Sequence, residues 1–99
     1  MKVENEKTVI PFNYLGMENV GYVIVGQIPK LWADATMEQM YPDVCFVIGK
    51  RIKKYNPHDT IEWVVWEAHV EEFRGFWSGD YCNTYKEVST SLKRRGGIL

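Results

Sequence analysis

The sequence has 99 residues, with 12 basic and 13 acidic side chains that give a net charge of −1, and 45% of its residues are hydrophobic. A chain of this length and composition is expected to fold as one domain spanning residues 1–99, with residues 1–7 frayed. The balanced charge excludes the strong basic excess that is typical of general nucleic-acid binders. Aromatic residues make up 14% of the chain, and such residues are important in cores and interfaces alike.

The N-terminal residues are mixed in charge and lack the apolar stretch of a signal peptide. The longest wholly apolar run, residues 44–48, is far shorter than the roughly 20 residues that span a bilayer. These observations predict a cytoplasmic protein that does not associate with membranes.

The first half of the chain contains two strand patterns and one short helical pattern. Residues 8–14 read as a strand that Pro11 confines to a sheet edge, and residues 15–19 suit a turn. Residues 20–28 are rich in β-branched side chains and predict a second strand, which Pro29 ends. A capping-box pattern predicts a short helical turn between Thr36 and Tyr41.

Two longer strands, residues 44–55 and 61–70, are predicted to form a hairpin around a turn at residues 56–60. One register matches apolar residues across the hairpin and aligns one pair of opposite charges. That register pairs Phe46 with Val70, Ile48 with Ala68, Ile52 with Val64, and Lys54 with Glu62.

The C-terminal part contains the clearest helix signal. Residues 73–77 predict a short strand and residues 78–80 a tight turn. A capping box from Thr84 to Glu87 then starts a helix whose apolar stripe comprises Tyr85, Val88 and Leu92 and whose last turn is basic. The order of elements predicts an α+β fold, in which an antiparallel sheet of four to five strands carries one C-terminal amphipathic helix on one face.

The residue types that perform chemistry are present without the spacings that chemistry requires. Cys45, His58, His69 and Cys82 are suitable zinc ligands, but no two form the close pair that is typical of structural zinc sites. We therefore expect no metal and no cofactor. Cys82 and Asp80 lie near the predicted helix start, where a thiolate is stabilised, but they match no catalytic signature. The chain is predicted not to be an enzyme, and catalysis by Cys82 and Asp80 is kept as an alternative.

The hairpin register predicts one sheet face of mixed polarity that carries the residue types enriched at interface hot spots. The candidate binding residues on this face are Arg51, Lys53, Tyr55, Ile61, Trp63 and Val65. They favour a non-enzymatic protein-binding domain that acts by occlusion, comparable to small inhibitors or adaptors such as those carried by phages or mobile elements. The partner would be another protein or a second copy of the chain. Because residues 50–55 contain four cations and Tyr55, and the facing strand contributes Trp63, a nucleic-acid-binding domain that uses the same face is the alternative.

Overall fold

The computed structural model describes residues 11–29 and 44–95, which form a five-stranded antiparallel sheet and one helix. The elements are β1 (Glu18–Asn19), β2 (Tyr22–Pro29), β3 (Val44–Arg51), β4 (Trp63–His69), β5 (Phe76–Cys82) and α1 (Tyr85–Arg95). Each strand pairs with the next one along the chain, so the sheet order is β1-β2-β3-β4-β5. This arrangement confirms the predicted α+β fold. The helical turn expected between Thr36 and Tyr41 lies outside the described residues.

The segment before β1 is attached to the sheet by side-chain as well as backbone hydrogen bonds. The prediction of a strand over residues 8–14 is wrong for its described part, residues 11–14, which is not in a strand. Gln27 accepts a hydrogen bond from Tyr14 N at 2.9 Å and donates one to Phe12 O at 2.7 Å. The hydroxyl of the buried Tyr14 donates to His69 O at 2.5 Å. These bonds satisfy backbone groups that a strand would have paired along a ladder.

The β1–β2 connection is a tight hairpin at residues that were predicted to begin a strand. Asn19 pairs with Tyr22, so the turn consists of Val20 and Gly21, whose φ angles are 41° and 86°. Two positive φ angles in a two-residue hairpin loop identify a type I′ turn. The second strand therefore starts at Tyr22 rather than at residue 20.

The hairpin of β3 and β4 is present, but its predicted register is wrong. Phe46 pairs with Glu67 rather than with Val70, and Ile48 pairs with Val65 rather than with Ala68. Both strands are also shorter than predicted, because residues 52–62 form the connection between them. A shift by an odd number of residues exchanges the faces of one strand relative to the other. The face that was predicted to hold the binding residues therefore does not exist as one surface.

Apolar side chains pack on both faces of the sheet. On the face that we call the inner face, the buried residues are Tyr14, Tyr22, Ile24, Cys45, Val47, Val64, Trp66 and Ala68. On the opposite face, the helix face, they are Phe46, Ile48, Val65, Cys82, Val88 and Leu92. Val88 and Leu92 belong to the apolar stripe predicted for the helix, and both are fully buried.

Strand β5 contains a β-bulge where a turn was predicted. Glu67 pairs with Trp77 and Val65 pairs with Asp80, so Ser78 and Gly79 together oppose a single residue of β4. Ser78 has a φ of 55°. The predicted strand over residues 73–77 is therefore correct only for residues 76 and 77, and the predicted turn over residues 78–80 is wrong, since β5 runs from Phe76 to Cys82. Some tight turns and some bulges contain a residue with a positive φ, so the residue types at positions 78–80 do not distinguish a turn from a bulge.

The helix begins at the predicted capping box. Thr84 N donates to Glu87 Oε1 at 3.1 Å, and Glu87 N donates to Thr84 Oγ1 at 3.3 Å. Helix α1 has 11 residues and ends in three basic side chains, as expected from the helix dipole. Within the ranges 11–29 and 44–95, no helix is long and apolar enough to cross a membrane.

Candidate functional site

One end of the sheet carries a compact exposed surface that we call the tip patch, formed by Val20, Ile52, Lys53 and Tyr55. It lies where the β1–β2 turn meets the β3–β4 loop. Ile52 N and Lys53 N both donate to Gly21 O, at 2.8 and 3.1 Å. These two bonds join the turn to the loop, so the exposed side chains of both segments lie at the same end of the sheet.

The tip patch is apolar and open to solvent. Val20 is 61% exposed, Ile52 is 53% exposed and Tyr55 is 70% exposed. The ammonium of Lys53 lies 5.1 Å from the centroid of the Tyr55 ring, within the range of a cation–π interaction. The patch thus combines two aliphatic side chains, one aromatic ring and one cation.

Gly21 allows the loop to approach the turn closely. A Cβ atom at Gly21 would lie 2.9 Å from Lys53 O and 3.2 Å from Tyr55 Cε2, and the φ of Gly21 is 86°. Both the contact distances and the φ angle therefore require glycine at this position. The Tyr55 ring lies against the turn only because no side chain is present there.

Val20 has a backbone conformation that β-branched residues rarely adopt. Its φ is 41°, and the first position of a type I′ turn strongly favours Asn, Asp or Gly. Its side chain is mostly exposed and is not part of either buried core cluster. A residue that is strained and also exposes an apolar side chain is unfavourable for the isolated fold, and such strain is concentrated at functional sites.

Replacing the strained valine should stabilise the protein. We expect Val20→Asn to raise the free energy of unfolding by about 1 kcal/mol, because Asn tolerates the positive φ that the turn requires. Urea denaturation followed by tryptophan fluorescence measures the change. The matched control is Val25→Asn, since Val25 is 52% exposed at the bulge of β2 but has no positive φ, so this variant should not be more stable than the wild type. Equal or lower stability in Val20→Asn would contradict the assignment of strain to this residue.

Arg51 positions the β3–β4 loop from below the tip patch. Its Nη2 donates to Tyr22 Oη at 2.6 Å and to Asp59 Oδ2 at 3.0 Å, while Nη1 donates to Lys53 O at 3.4 Å. The guanidinium carbon lies 4.8 Å from the Tyr22 ring centroid, and the side chain is only 9% exposed. Burial raises the pKa of Tyr22, although the hydrogen bond from Arg51 acts in the opposite direction. The hydroxyl therefore stays neutral and accepts the bond that anchors the loop.

Most cations near the tip patch already have acidic partners. Lys50 Nζ lies 3.3 Å from Glu62 Oε1, and Lys54 Nζ lies 2.9 Å from Glu62 Oε2. The hydrogen bonds from Lys54 and then Lys50 lower the pKa of Glu62. Arg51 is paired with Asp59. Lys53 differs from these three cations, because within the described ranges its ammonium contacts an aromatic ring but no carboxylate.

The structure does not bring the six predicted binding residues to one face. Lys53 and Tyr55 belong to the tip patch, and Arg51 supports it. Ile61 is half-buried against the inner face. Trp63 and Val65 lie on the helix face, where Val65 is fully buried and the Trp63 ring lies 5.0 Å from that of Tyr85.

Sequence reasoning missed Val20 and Ile52 as exposed residues, because both occur in runs that resemble strands. Gly21 was an available signal for the turn. A glycine between two strand-like runs is typical of a two-residue hairpin loop. No comparable signal in the sequence shows that Ile52 bonds to the turn rather than to β4. That contact depends on the tertiary fold.

The alternative catalytic pair lies beneath the helix. Cys82 is buried, and this burial is the main reason why the pKa of its thiol is raised, with Glu87 and Asp80 adding to the effect. Asp80 Oδ2 accepts hydrogen bonds from Ser91, Arg94 and Arg95 at 2.5, 2.6 and 3.0 Å. The thiol thus lacks the lowered pKa of an activated nucleophile, and the carboxylate is engaged in holding the helix.

The candidate zinc ligands are distributed over both faces of the sheet and the β3–β4 loop. Cys45 is on the inner face and Cys82 is on the helix face, and burial raises the pKa of the Cys45 thiol to about 11. His58 lies in the β3–β4 loop and His69 at the end of β4. Among the described residues, no group of three or more Cys, His, Asp or Glu side chains is arranged to hold a metal ion.

Comparisons with protein-family models, with curated proteins and with solved structures give no significant match.

Proposed function

We propose that this chain is a non-enzymatic protein-binding domain that acts by occlusion, with the tip patch as its contact surface. The observation that carries the proposal is Val20, a β-branched residue at a φ of 41° whose side chain is 61% exposed. Neither property benefits the isolated domain. Both are accounted for if Val20 is buried against a partner protein.

The composition of the tip patch supports a protein partner. Aromatic residues are enriched at interface cores, and an exposed tyrosine offers a large contact area at a low entropic cost. Tyr55 is the most exposed large hydrophobic residue among those described. Its ring lies against the β1–β2 turn, at the end of the sheet that also exposes Val20 and Ile52, so a partner that covers this end would bury all three.

The support beneath the tip patch also favours binding. The loop is bonded to the turn through Gly21 and to the sheet through Arg51, which contacts both Tyr22 and Asp59. A surface that is already ordered loses less conformational entropy on association than a free loop does. The sheet and the helix then act as a scaffold that holds the patch in one arrangement.

The charge distribution favours a protein over a nucleic acid. Neutralising a phosphate backbone requires several unpaired cations. Here Lys50 and Lys54 share Glu62, and Arg51 is paired with Asp59 and only slightly exposed. Lys53 alone among these four cations contacts no carboxylate in the described ranges, so the electrostatic attraction for a nucleic acid is weak.

The experiment is an affinity capture in which the tagged chain is incubated with a lysate of its source and the bound proteins are quantified by mass spectrometry. We expect Tyr55→Ala to reduce the recovery of the main partner about tenfold, which corresponds to about 1.4 kcal/mol. Val20→Asn should reduce recovery in the same direction even though it makes the fold more stable.

The matched control is Phe73→Ala, because Phe73 is a 48% exposed aromatic residue that packs near Tyr14, away from the tip patch. Nuclease treatment should leave recovery unchanged. Recovery of an untagged copy of this chain, lost in Tyr55→Ala, would identify the occluded protein as a second copy. Equal recovery by Tyr55→Ala and the wild type, or loss of all partners after nuclease treatment, would overturn the proposal.

A further inference from the structure

We infer that the partner segment that covers the tip patch presents a carboxylate next to apolar side chains. This inference rests on the proposed function and specifies the chemistry of the partner. It follows from the position of one cation within an apolar surface.

Lys53 is the cation that remains available. The acids of the β3–β4 connection are already engaged, since Asp59 binds Arg51 and Glu62 binds both Lys50 and Lys54. Lys53 itself is exposed, and its ammonium lies beside the ring of Tyr55, 5.1 Å from the centroid. A partner that buries Tyr55 would also remove water from this ammonium.

Burial of the ammonium without a partner charge would oppose binding. An unpaired charge that loses its hydration is strongly unfavourable, whereas a charge-assisted hydrogen bond to a carboxylate offsets that loss. The partner should therefore place one acidic group at Lys53 while its apolar groups contact Val20, Ile52 and Tyr55. A partner without an acid at this position is disfavoured by the same desolvation.

The test uses three synthetic peptides and the 99-residue chain. The first has the sequence Ser-Glu-Leu-Phe-Ser with blocked ends, the second replaces its Glu with Gln, and the third replaces its Leu and Phe with Ser. Each is titrated into ¹⁵N-labelled protein and followed by NMR. We expect the first peptide to shift the amide signals of Gly21, Ile52 and Lys53 with a dissociation constant on the order of 1 mM.

A five-residue peptide leaves the ammonium largely hydrated, so the Gln peptide should bind only about 2- to 5-fold more weakly, as for an exposed ion pair. The peptide without Leu and Phe should not bind. In Lys53→Gln the difference between the Glu and Gln peptides should vanish. The matched control is Lys86→Gln, since Lys86 is an exposed lysine of helix α1, and there the difference should persist.

Equal binding of the Glu and Gln peptides, or the absence of shifts at the tip patch, would overturn the inference. Tighter binding of a ten-nucleotide oligothymidylate than of the Glu peptide would also overturn it, because the cation would then serve a phosphate. Lysate capture that depends on Tyr55 but not on Lys53 would leave the proposed function intact and reject only the carboxylate. Capture that depends on neither residue would reject both.

Discussion

Replacing Gly49 with alanine is expected to lower the free energy of unfolding by about 3 kcal/mol. Gly49 lies in the middle of β3, between Ile24 of β2 and Val64 of β4. A Cβ atom there would lie 2.7 Å from Val64 Cγ1 and 3.2 Å from Tyr22 Cβ. Both neighbours are buried, and both clashes involve atoms close to the backbone, so the strands themselves would have to move.

Thermal denaturation followed by circular dichroism measures this effect, and the midpoint should fall by roughly 15 °C for a domain of this size. The matched control is Gly26→Ala, where the new Cβ would meet Ile48 Cδ1 at 3.1 Å. That atom is the end of a flexible side chain, so we expect a loss of only about 1 kcal/mol. Equal losses in the two variants would show that the close packing around Gly49 does not determine stability.

Removing the charge of Asp80 is expected to lower the free energy of unfolding by about 2 kcal/mol. The Asp80 carboxylate accepts hydrogen bonds from Ser91, Arg94 and Arg95 of helix α1, and Arg95 also binds Glu67 of β4 at 3.0 Å. Ser91 is buried, so Asp80→Asn leaves weaker acceptors for a set of donors that solvent cannot fully reach. Urea denaturation at pH 7 measures the loss, and Glu71→Gln, at an exposed acid, is the control.

The same substitution should change how stability depends on pH. Burial alone would raise the pKa of Asp80, but the hydrogen bonds from Ser91 and Arg95 and the two arginine charges lower it below the ordinary value of 3.8. A carboxyl group whose pKa is lowered by folding stabilises the protein above its unfolded pKa, and this contribution is lost as the pH falls through the folded pKa. Wild-type protein should therefore lose more stability than Asp80→Asn when the pH is lowered from about 5 to about 2. Parallel pH profiles would contradict this role.

The parts of the fold that were predicted from the sequence depend on local signals. The capping box and the apolar stripe of α1 involve residues within a few positions of one another, and the structure confirms the bonds between Thr84 and Glu87. The β-branched run of β2 was equally informative, because residues 22–28 lie in a strand. Such signals are reliable when the neighbouring residues alone determine the conformation.

The register of the central hairpin could not be derived in this way. Matching apolar residues across two strands has several solutions when both faces of the sheet are buried, and here both are. The deciding contacts are tertiary, because Ile52 and Lys53 bond to Gly21 instead of extending β3. Residues 52–55 have a composition that suits a strand, yet they form the loop that carries part of the tip patch.

Two residues of the tip patch were predicted as binding residues, but for a reason that the structure does not support. Lys53 and Tyr55 were selected as members of a sheet face, whereas they are exposed because they lie in a loop. Trp63 and Val65 were selected by the same alternation and lie on the helix face. Lys53 and Tyr55 lie beyond the end of β3, and the observed register differs from the predicted one. The alternation of side chains along the two strands therefore does not place these four residues on one face.

The bulge in β5 restricts how copies of this domain can associate. Within the described ranges, β5 pairs with β4 alone, so its other side is an edge of seven residues, Phe76–Cys82. A flat edge of that length would offer unpaired N–H and C=O groups to any exposed strand and would favour fibre-like aggregation. The left-handed residue Ser78 interrupts this row near its centre, so neither half is long enough to recruit a continuous partner strand. The β5 edge is therefore a poor template for the addition of a strand from a second copy.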